Sequence, residues 1–296
     1  MTTVTDPAMR TRTPHDIREH KDVLIQAEAD GILSANSSFA TVSNQEWFIQ
    51  LKGTGTVPTR LRIETQEKIL EEFWRTPSEV PMGRIALVMA GPPGAGKSTA
   101  EKRVRMELAP GQPWRKIDPD HFKDLLLRWA FKHGEYETIV PPELHEDRAR
   151  AYLRELAALV HEESSILAAR ARTESISKGE NLVIDGTQKT YTKTKRLIDH
   201  LLDARYSISL MDVEVGFAIS LQRVEARWAK GYNEAEESYI DGGSLVDHLG
   251  GRWVPHHCVA DIYHGGRADT TSVCQQVVGR LVAEYPGIRI RVESNN

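Results

Sequence analysis

Residues 91–98 read Gly-Pro-Pro-Gly-Ala-Gly-Lys-Ser, a pattern suited to binding phosphate groups. An apolar run of strand length, residues 84–90, precedes them, and a helical pattern follows from Ser98. The glycines would let backbone N–H groups converge on phosphate oxygens, and the helix N-terminus would add favourable partial charge. We expect Lys97 to reach the β- and γ-phosphates and the Ser98 hydroxyl to bind Mg²⁺. The predicted site for ATP and Mg²⁺ comprises Gly91, Pro92, Pro93, Gly94, Ala95, Gly96, Lys97, Ser98 and Thr99.

Two carboxylates follow the second strand-like run, in the sequence Asp118-Pro119-Asp120-His121-Phe122-Lys123. One of them could take the proton from a substrate hydroxyl, because a kinase needs a positioned base beside its acceptor. Aspartate is also a favoured N-cap residue, so helix capping explains the same pattern. The residues alone leave both interpretations open.

A third polar group ends the strand-like run Asn181–Asp185 and continues as Gly186-Thr187. Asp185 could hold the water shell of Mg²⁺, in the manner of a Walker-B carboxylate. Thr187 could hydrogen-bond a substrate. A simple strand-to-loop turn is the alternative for both residues.

Arginines could supply the positive charge that phosphoryl transfer requires, since a guanidinium group can contact a phosphate through two hydrogen bonds. Arg223 and Arg227 fall late in a helical pattern, where a solvated helix face is the alternative interpretation. Arg252 follows Gly250-Gly251, and the two glycines suggest the close approach of a ligand.

An alternating pattern of strands and helices after residue 82 predicts the scaffold for these motifs. The strand-like runs are Arg84–Ala90, Trp114–Ile117, Asn181–Asp185 and Ser207–Val213. The helical runs are Gly96–Leu108, His121–Lys132, Glu143–Lys178, Thr192–Ala204 and Phe217–Lys230. Such alternation implies parallel strands with helices on both faces and ligands at the carboxyl ends of the strands. We therefore expect an α/β fold of the P-loop NTPase/kinase type.

The first 80 residues differ from the rest of the chain. Asp16–Ala29 and Arg60–Trp74 read as amphipathic helices, whereas residues 34–38 and 52–58 are turn-like. We predict a mainly helical accessory segment over residues 1–80, ahead of a kinase domain over residues 81–296. Because amphipathic helices need an apolar surface to be stable, we expect residues 10–75 to pack on the flank of the kinase sheet.

Composition excludes several classes of function. The chain of 296 residues is 40% hydrophobic with a net charge of −4, so it has no global basic field for nucleic acid. Its two cysteines show no metal-ligand spacing, which fits a reducing compartment. It has neither the apolar stretch of a signal peptide nor a run of about 18 apolar residues. We expect a cytoplasmic protein that binds neither nucleic acid nor membranes.

Taken together, the motifs resemble those of the zeta toxin family of P-loop kinases, over roughly residues 83–262. They occur in the family's order as residues 91–98, 118–123, 184–187, 223–227 and 251–255. The phosphate-binding loop alone would suit many families, whereas the combination is far more specific. Residues 231–250 form an insertion relative to the family's pattern.

This resemblance implies an ATP-dependent kinase that phosphorylates the 3′-hydroxyl of the sugar in UDP-N-acetylglucosamine and so acts as a growth-inhibiting toxin, with an antitoxin protein as a candidate partner. It implies that Asp120 is the catalytic base and that Lys97 and Ser98 contact phosphate and Mg²⁺. Arg223 and Arg252 would grip the triphosphate. The resemblance also implies substrate-binding roles, for Asp120, Thr187 and Glu163.

Other functions would use similar motifs. A kinase of another nucleotide, for instance a dinucleotide cofactor, would share the sheet edge and differ in its acceptor pocket. A non-catalytic protein that binds ATP and changes shape would need no base beside the γ-phosphate, so Asp120 discriminates against it. Nucleic-acid phosphorylation would want a basic groove, which the net charge and the acidic residues 233–238 disfavour.

Overall fold

Strands and helices alternate along most of the chain. The computed structural model describes residues 17–53, 55–145, 151–240, 246–264 and 271–295. The strands are β1 (Phe48–Leu51), β2 (Gly55–Pro58), β3 (Ile85–Ala90), β4 (Arg115–Ile117), β5 (Leu182–Ile184), β6 (Ser207–Glu214) and β7 (Arg289–Ser294). The helices are α1 (Ile17–Ala29), α2 (Arg60–Trp74), α3 (Lys97–Leu108), α4 (Pro119–Lys132), α5 (Tyr136–Ile139), α6 (His161–Lys178), α7 (Tyr191–Asp203), α8 (Phe217–Ile240), α9 (His256–Ala260) and α10 (Val273–Glu284).

Five of the strands form a parallel sheet in the order β4–β5–β3–β6–β7. The central strand β3 is apolar along its whole length, as expected for a strand that is covered on both faces. Its last residue, Ala90, lies opposite Asp212 of β6. Because the strands all run the same way, their carboxyl ends share one edge, where ligands of such sheets bind. The sheet confirms the predicted α/β fold.

Two compact units divide the chain. One unit contains the residues up to Ile69, Asp120–Ser165 and Glu225–Pro255. The other contains Leu70–Pro119, Ile166–Val224 and His256–Asn296, and it holds the whole parallel sheet. We refer to them as the helical unit and the sheet unit. The domain boundary near residue 80 stays a prediction.

The sheet unit has a core formed by one face of the sheet and helix α3. Ala100 and Val104 of α3 belong to the same buried cluster as Leu87 and Met89 of β3. Trp114, just before β4, is part of this cluster too. The helix that follows the phosphate-binding loop is therefore fixed to the strand that precedes it, which holds the loop between two rigid elements.

Most predicted element positions are within a few residues of the observed ones. The predicted helix Phe217–Lys230 was too short, because α8 continues to Ile240, and the predicted helix Glu143–Lys178 was too long. In the structure α6 begins only at His161, and 3₁₀ turns occupy Pro142–Leu144 and Leu153–Leu156. The amides of Ala151 and Arg154 donate to the carbonyl oxygens of Leu144 and Leu249, which do not lie one helical turn earlier, so a continuous helix does not pass through these residues. Residues 146–150 of the predicted helix lie outside the described residues.

The helical unit contains most of the predicted N-terminal segment. Both predicted helices are present as α1 and α2, although Asp16 lies outside the described residues. An antiparallel hairpin of β1 and β2 was not predicted, and β2 falls within the stretch assigned as turn-like. His20 of α1 is completely buried, and its Nε2 lies 2.9 Å from Glu155 Oε2. The N-terminal segment is thus an integral part of the packing of this unit.

Candidate phosphate-binding site and carboxylate cluster

In the sheet unit, the lysine of the phosphate-binding loop is hydrogen-bonded to the backbone of the same loop. The Nζ of Lys97 donates to the carbonyl oxygens of Gly91 at 2.8 Å and Pro92 at 2.9 Å. Since α3 begins at Lys97, the first amides of this helix have no acceptor within the helix and can bind an anion. A helix N-terminus beside a lysine suits phosphate groups, and their binding here stays a prediction.

Two glycines of the loop are required by their surroundings. Gly91 has a φ of 120°, and a Cβ there would lie 2.0 Å from the carbonyl oxygen of Val213. Gly94 has a φ of 74°, and its Cβ would lie 3.0 Å from the carbonyl oxygen of Ser220. The loop therefore follows the end of β6 and the start of α8 more closely than any residue with a side chain would allow.

Arg223 lies directly beside this loop. Its guanidinium donates to the carbonyl oxygen of Gly94 at 3.2 Å and to that of Asn295 at 3.1 Å. The amide of Asn295 in turn donates to the carbonyl oxygen of Ala95 at 2.8 Å. A cavity of about 420 Å³ is lined by Ala95, Gly96, Thr99, Arg223, Glu293, Ser294 and Asn295. The structure thus brings a predicted phosphate-binding arginine and the loop together, and it adds the C-terminal residues 293–295, which the sequence did not suggest.

Asp185 and Thr187, which follow β5, also lie in the sheet unit. The Nζ of Lys116 is 3.2 Å from Asp185 Oδ2, 2.8 Å from Glu101 Oε2 and 3.8 Å from Asp118 Oδ2. Burial alone would lower the pKa of Lys116, but the three carboxylates hold its pKa above the ordinary value. Asp185 therefore lies beside a cation. The carbonyl oxygen of Thr187 accepts a hydrogen bond from the Gly91 amide at 3.2 Å, which ties this strand end to the loop.

The predicted Mg²⁺ site has a donor set that suits this ion. Ser98 offers an exposed hydroxyl at the start of α3, and the Asp185 side chain is 16% exposed. Both ligands are oxygens, and Mg²⁺ commonly takes one or two protein oxygens with water and substrate phosphates as its other ligands. Among the described residues no group of three or more His, Cys, Asp or Glu could hold a metal.

A pair of buried carboxyl groups on β6, Asp212 and Glu214, was missed by the sequence analysis. Asp212 is completely buried, and neither of its oxygens has a fixed hydrogen-bond donor among the described residues. Burial raises the pKa of both groups, that of Glu214 to about 8, and a proton on Glu214 can be shared with Asp212. The Ser272 hydroxyl donates to Glu214 at 2.9 Å. Acidic residues at alternate positions of an otherwise buried strand were the signal available in the sequence.

Glu214→Gln should remove a pH-dependent loss of stability. Folding raises the pKa of Glu214 from about 4.3 to about 8, so the folded chain binds more protons between these values. Stability is then highest below the lower value and falls as the pH rises towards 8, by up to about 1.4 kcal/mol per pH unit. The glutamine amide imitates the protonated acid, because it can donate to Asp212. The melting temperature should fall less steeply between pH 5 and pH 9 for the variant than for the natural protein. An equal pH dependence of the two melting temperatures would contradict this assignment.

The predicted base, Asp120, lies in the helical unit within a cluster of charges on and near α4. Lys123 Nζ is 3.0 Å from Asp120 Oδ1, and the Arg252 guanidinium forms an ion pair with Asp120 Oδ2. Arg252 also donates to the Asp120 carbonyl oxygen at 3.1 Å and to Asp124 Oδ1 at 2.7 Å. Each oxygen of the Asp120 carboxylate therefore contacts a cation.

These contacts determine the protonation of Asp120. Its side chain is 45% exposed. The burial that it does have would raise the pKa of Asp120, but Lys123 and Arg252 more than offset this and hold the pKa well below the usual range. The carboxylate is therefore ionised throughout the physiological pH range. It is able to accept a proton, although as a weak base.

The glycines before Arg252 serve a different purpose from the one predicted. A Cβ at Gly251 would lie 1.9 Å from the carbonyl oxygen of Trp228, and a Cβ at Gly250 would lie 2.3 Å from Cβ of Tyr152. The close approach that these glycines permit in the structure is to other parts of the helical unit. Their effect is to fix the backbone that carries Arg252. Arg227, the remaining arginine of the motif, is exposed on α8.

Glu163, predicted to bind substrate, is completely buried at the start of α6. Arg62 of α2 donates to both its oxygens at 2.7 Å, and the amide of Gln66 donates to Oε1 at 2.9 Å. In this structure the carboxylate therefore links the N-terminal segment to α6. Its substrate-binding role stays a prediction.

Comparison with known proteins connects this architecture to a family. A family model described as zeta toxin matches residues 75–288, well over half of the chain. No curated protein matches the sequence. Among the described residues, the helices are each too short or too polar to cross a membrane.

Several solved structures are similar to the chain. A chain from the AvrRxo1-ORF1:-ORF2 complex is 18% identical with a TM-score of 0.50, over 81% of this chain and 65% of that one. The same complex with ATP gives 16% identity, a TM-score of 0.50 and the same coverage. A chain from the PezAT chromosomal toxin–antitoxin system of Streptococcus pneumoniae is 16% identical with a TM-score of 0.44, over 79% of this chain and 76% of that one. This chain thus spans 65% of the length of the AvrRxo1 chains, and that likeness concerns the fold alone.

Proposed function

The chain belongs to the zeta toxin family, and from this premise we propose that it transfers the γ-phosphate of ATP to a sugar hydroxyl of a nucleotide sugar. The acceptor that the family resemblance favours is the 3′-hydroxyl of UDP-N-acetylglucosamine. Phosphorylation there would withdraw a cell-wall precursor and inhibit bacterial growth. An antitoxin protein is the partner that this function would require.

The observation that carries the proposal is the phosphate-binding loop of the sheet unit. Lys97 contacts two loop carbonyl oxygens, and Arg223 contacts the same loop from α8. Two cations and a helix N-terminus at one loop suit a triphosphate, whose transfer depends mainly on positioning and on charge neutralisation. The likeness to a structure that contains ATP is consistent with ATP as the donor.

Several residues of this chain would then have separate tasks in the reaction. Lys97 and the amides of the loop would bind the β- and γ-phosphates, and Arg223 would neutralise charge on the phosphoryl group as it is transferred. Ser98 and Asp185 would hold Mg²⁺, which supplies charge neutralisation when bound. Asp120 would accept the proton of the acceptor hydroxyl. A weak base is adequate, because the transition state of phosphoryl transfer is loose and the hydroxyl loses its proton late.

Mass spectrometry of a mixture of nucleotide sugars and dinucleotide cofactors, after incubation with the protein and Mg-ATP, tests this function. We expect a phosphorylated nucleotide sugar from the natural protein and none from Asp120→Asn, which keeps the shape of the side chain but loses its charge. Asp203→Asn, an exposed change on α7, is the matched control and should be active.

Other outcomes would replace the proposal. A phosphorylated dinucleotide cofactor without a phosphorylated sugar would indicate the alternative kinase. ATP binding without any product would indicate a non-catalytic switch. In bacteria, expression of the natural protein should arrest growth whereas Asp120→Asn should be harmless, and equal toxicity of the two would contradict poisoning by phosphorylation.

A further inference from the structure

Asp124 accepts hydrogen bonds from two arginines, although no motif of the sequence singles it out. Its Oδ1 accepts from Arg252 at 2.7 Å and from Arg154 Nε at 3.1 Å. Its Oδ2 accepts from Arg154 Nη2 at 2.8 Å. Asp124 is thus held by a two-bond contact from Arg154 and presents an oxygen to Arg252. All these groups belong to the helical unit.

The geometry of α4 explains why one guanidinium can reach two carboxylates. Asp120 and Asp124 are one helical turn apart and lie on the same face of the helix. Arg252 divides its contacts, with Nη1 on Asp120 and Nη2 on Asp124. The guanidinium thus offers each carboxylate a separate terminal nitrogen, which a lysine ammonium does not have.

Exposure indicates which contact positions the arginine. The side chains of Asp124 and Arg252 are only 16% and 14% exposed, whereas that of Asp120 is 45% exposed. Ion pairs shielded from water are screened less than exposed ones, so Asp124 is the firmer anchor. Gly251, packed against the carbonyl oxygen of Trp228, fixes the backbone beside Arg252.

We propose that Asp124 is a positioning residue for the transfer reaction, which holds the Arg252 guanidinium against the carboxylate of Asp120. This inference rests on the proposed role of Asp120 as base. With its second oxygen bound by Lys123, Asp120 then has a fixed orientation and remains ionised when a hydroxyl approaches. Arg154 supports the arrangement by fixing Asp124, and it does so without contacting the base.

Asp124→Asn tests the proposal through the titration of Asp120, followed by NMR of its carboxyl carbon. Loss of a negative charge alone would lower the pKa of Asp120. If Asp124 positions Arg252, the guanidinium moves away in the variant, and the pKa of Asp120 rises towards its ordinary value instead. The sign of the change therefore separates positioning from a simple charge effect. A lowered or unchanged pKa would overturn the proposal.

Kinetics provide the second measurement. We expect kcat of Asp124→Asn to fall at least about tenfold with an unchanged KM for ATP, because a misplaced catalytic group costs rate and not nucleotide binding. Arg154→Gln, at a side chain that is 37% exposed, should fold even if Asp124→Asn does not, and it should shift the pKa and kcat in the same direction by a smaller amount. If folded Arg154→Gln has the same Asp120 pKa and the same kcat as the natural protein, the proposal is contradicted.

Glu64→Gln is the matched control, because it removes a carboxylate from an exposed ion pair with Arg60 in the same unit. It should leave both the Asp120 titration and kcat unchanged. A shift of the Asp120 pKa in this control would show that the titration reports general perturbation of the unit, and it would overturn the proposal. If the natural protein transfers no phosphate, the proposed function fails, yet the titration still decides whether Asp124 positions Arg252.

Discussion

Lys97→Ala is expected to lower the turnover of ATP-dependent transfer by about a thousandfold. The variant removes the charge that would stabilise the β- and γ-phosphates, and loss of a single group of this kind costs about 10²- to 10³-fold in kcat. In the structure Lys97 also bonds to the carbonyl oxygens of Gly91 and Pro92, so the loop loses two internal contacts. The rate of product formation and the affinity for ATP are the measurements.

Lys102→Ala is the matched control for this variant, because Lys102 is an exposed lysine of the same helix. It should keep full activity. The core beneath α3, which includes Ala100 and Val104, is untouched by either change, so both variants should fold. Undiminished turnover in folded Lys97→Ala would contradict the role assigned to the phosphate-binding loop.

The sheet was predictable because its strands carry a local signal. Parallel strands buried on both faces read as short apolar runs, and β3 and β5 have this pattern. The edge strand β7 was missed, because its sequence Arg-Ile-Arg-Val-Glu-Ser alternates polar and apolar residues and its side chains are half-buried or exposed. Its place in the sheet depends on pairing with β6, which is a long-range contact.

The phosphate-binding loop was predictable for a different reason. Its glycines and lysine are adjacent in sequence, so the geometry that they impose is local. The environment of Asp120 was not predictable, because it brings α4 together with Arg252, 132 residues further along the chain. The glycines at 250 and 251 show the same limit. The conformational freedom of their backbone was evident from the sequence, but the residues against which they pack, Tyr152 and Trp228, were not.

In the N-terminal segment, a correctly predicted helix makes contacts that were not predicted. Helix α2 was predicted from its apolar positions, whereas the buried contacts of its polar residues were not. Arg62, fully buried, bonds to Glu163 and Glu135, and its guanidinium lies 4.3 Å from the centroid of the Trp47 ring. Burial would lower the pKa of Arg62, but the two carboxylates raise it above its ordinary value. The guanidinium therefore stays charged in the interior of the helical unit.

Arg62→Met is accordingly expected to destabilise the protein by roughly 3–5 kcal/mol, the cost of leaving a buried charge without its partner. Glu163 is completely buried, so its carboxylate cannot recover the lost contact from water. The free energy of unfolding in urea, followed by tryptophan fluorescence, is the measurement. Arg60→Met is the matched control on the same helix, because the Arg60 side chain is 94% exposed and pairs with Glu64 at the surface. It should cost about 0.5 kcal/mol or less.

A second change distinguishes an uncompensated charge from a loss of packing. In Arg62→Met combined with Glu163→Leu, no charge is left buried between α2 and α6, and the double variant should recover much of the lost stability. If the double variant is instead as unstable as the sum of the two single variants, the charges are not coupled and the ion pair is not what joins these helices. If Arg62→Met alone leaves the stability unchanged, α2 is not anchored through Glu163, and this carboxylate is available for the substrate-binding role that the sequence predicted.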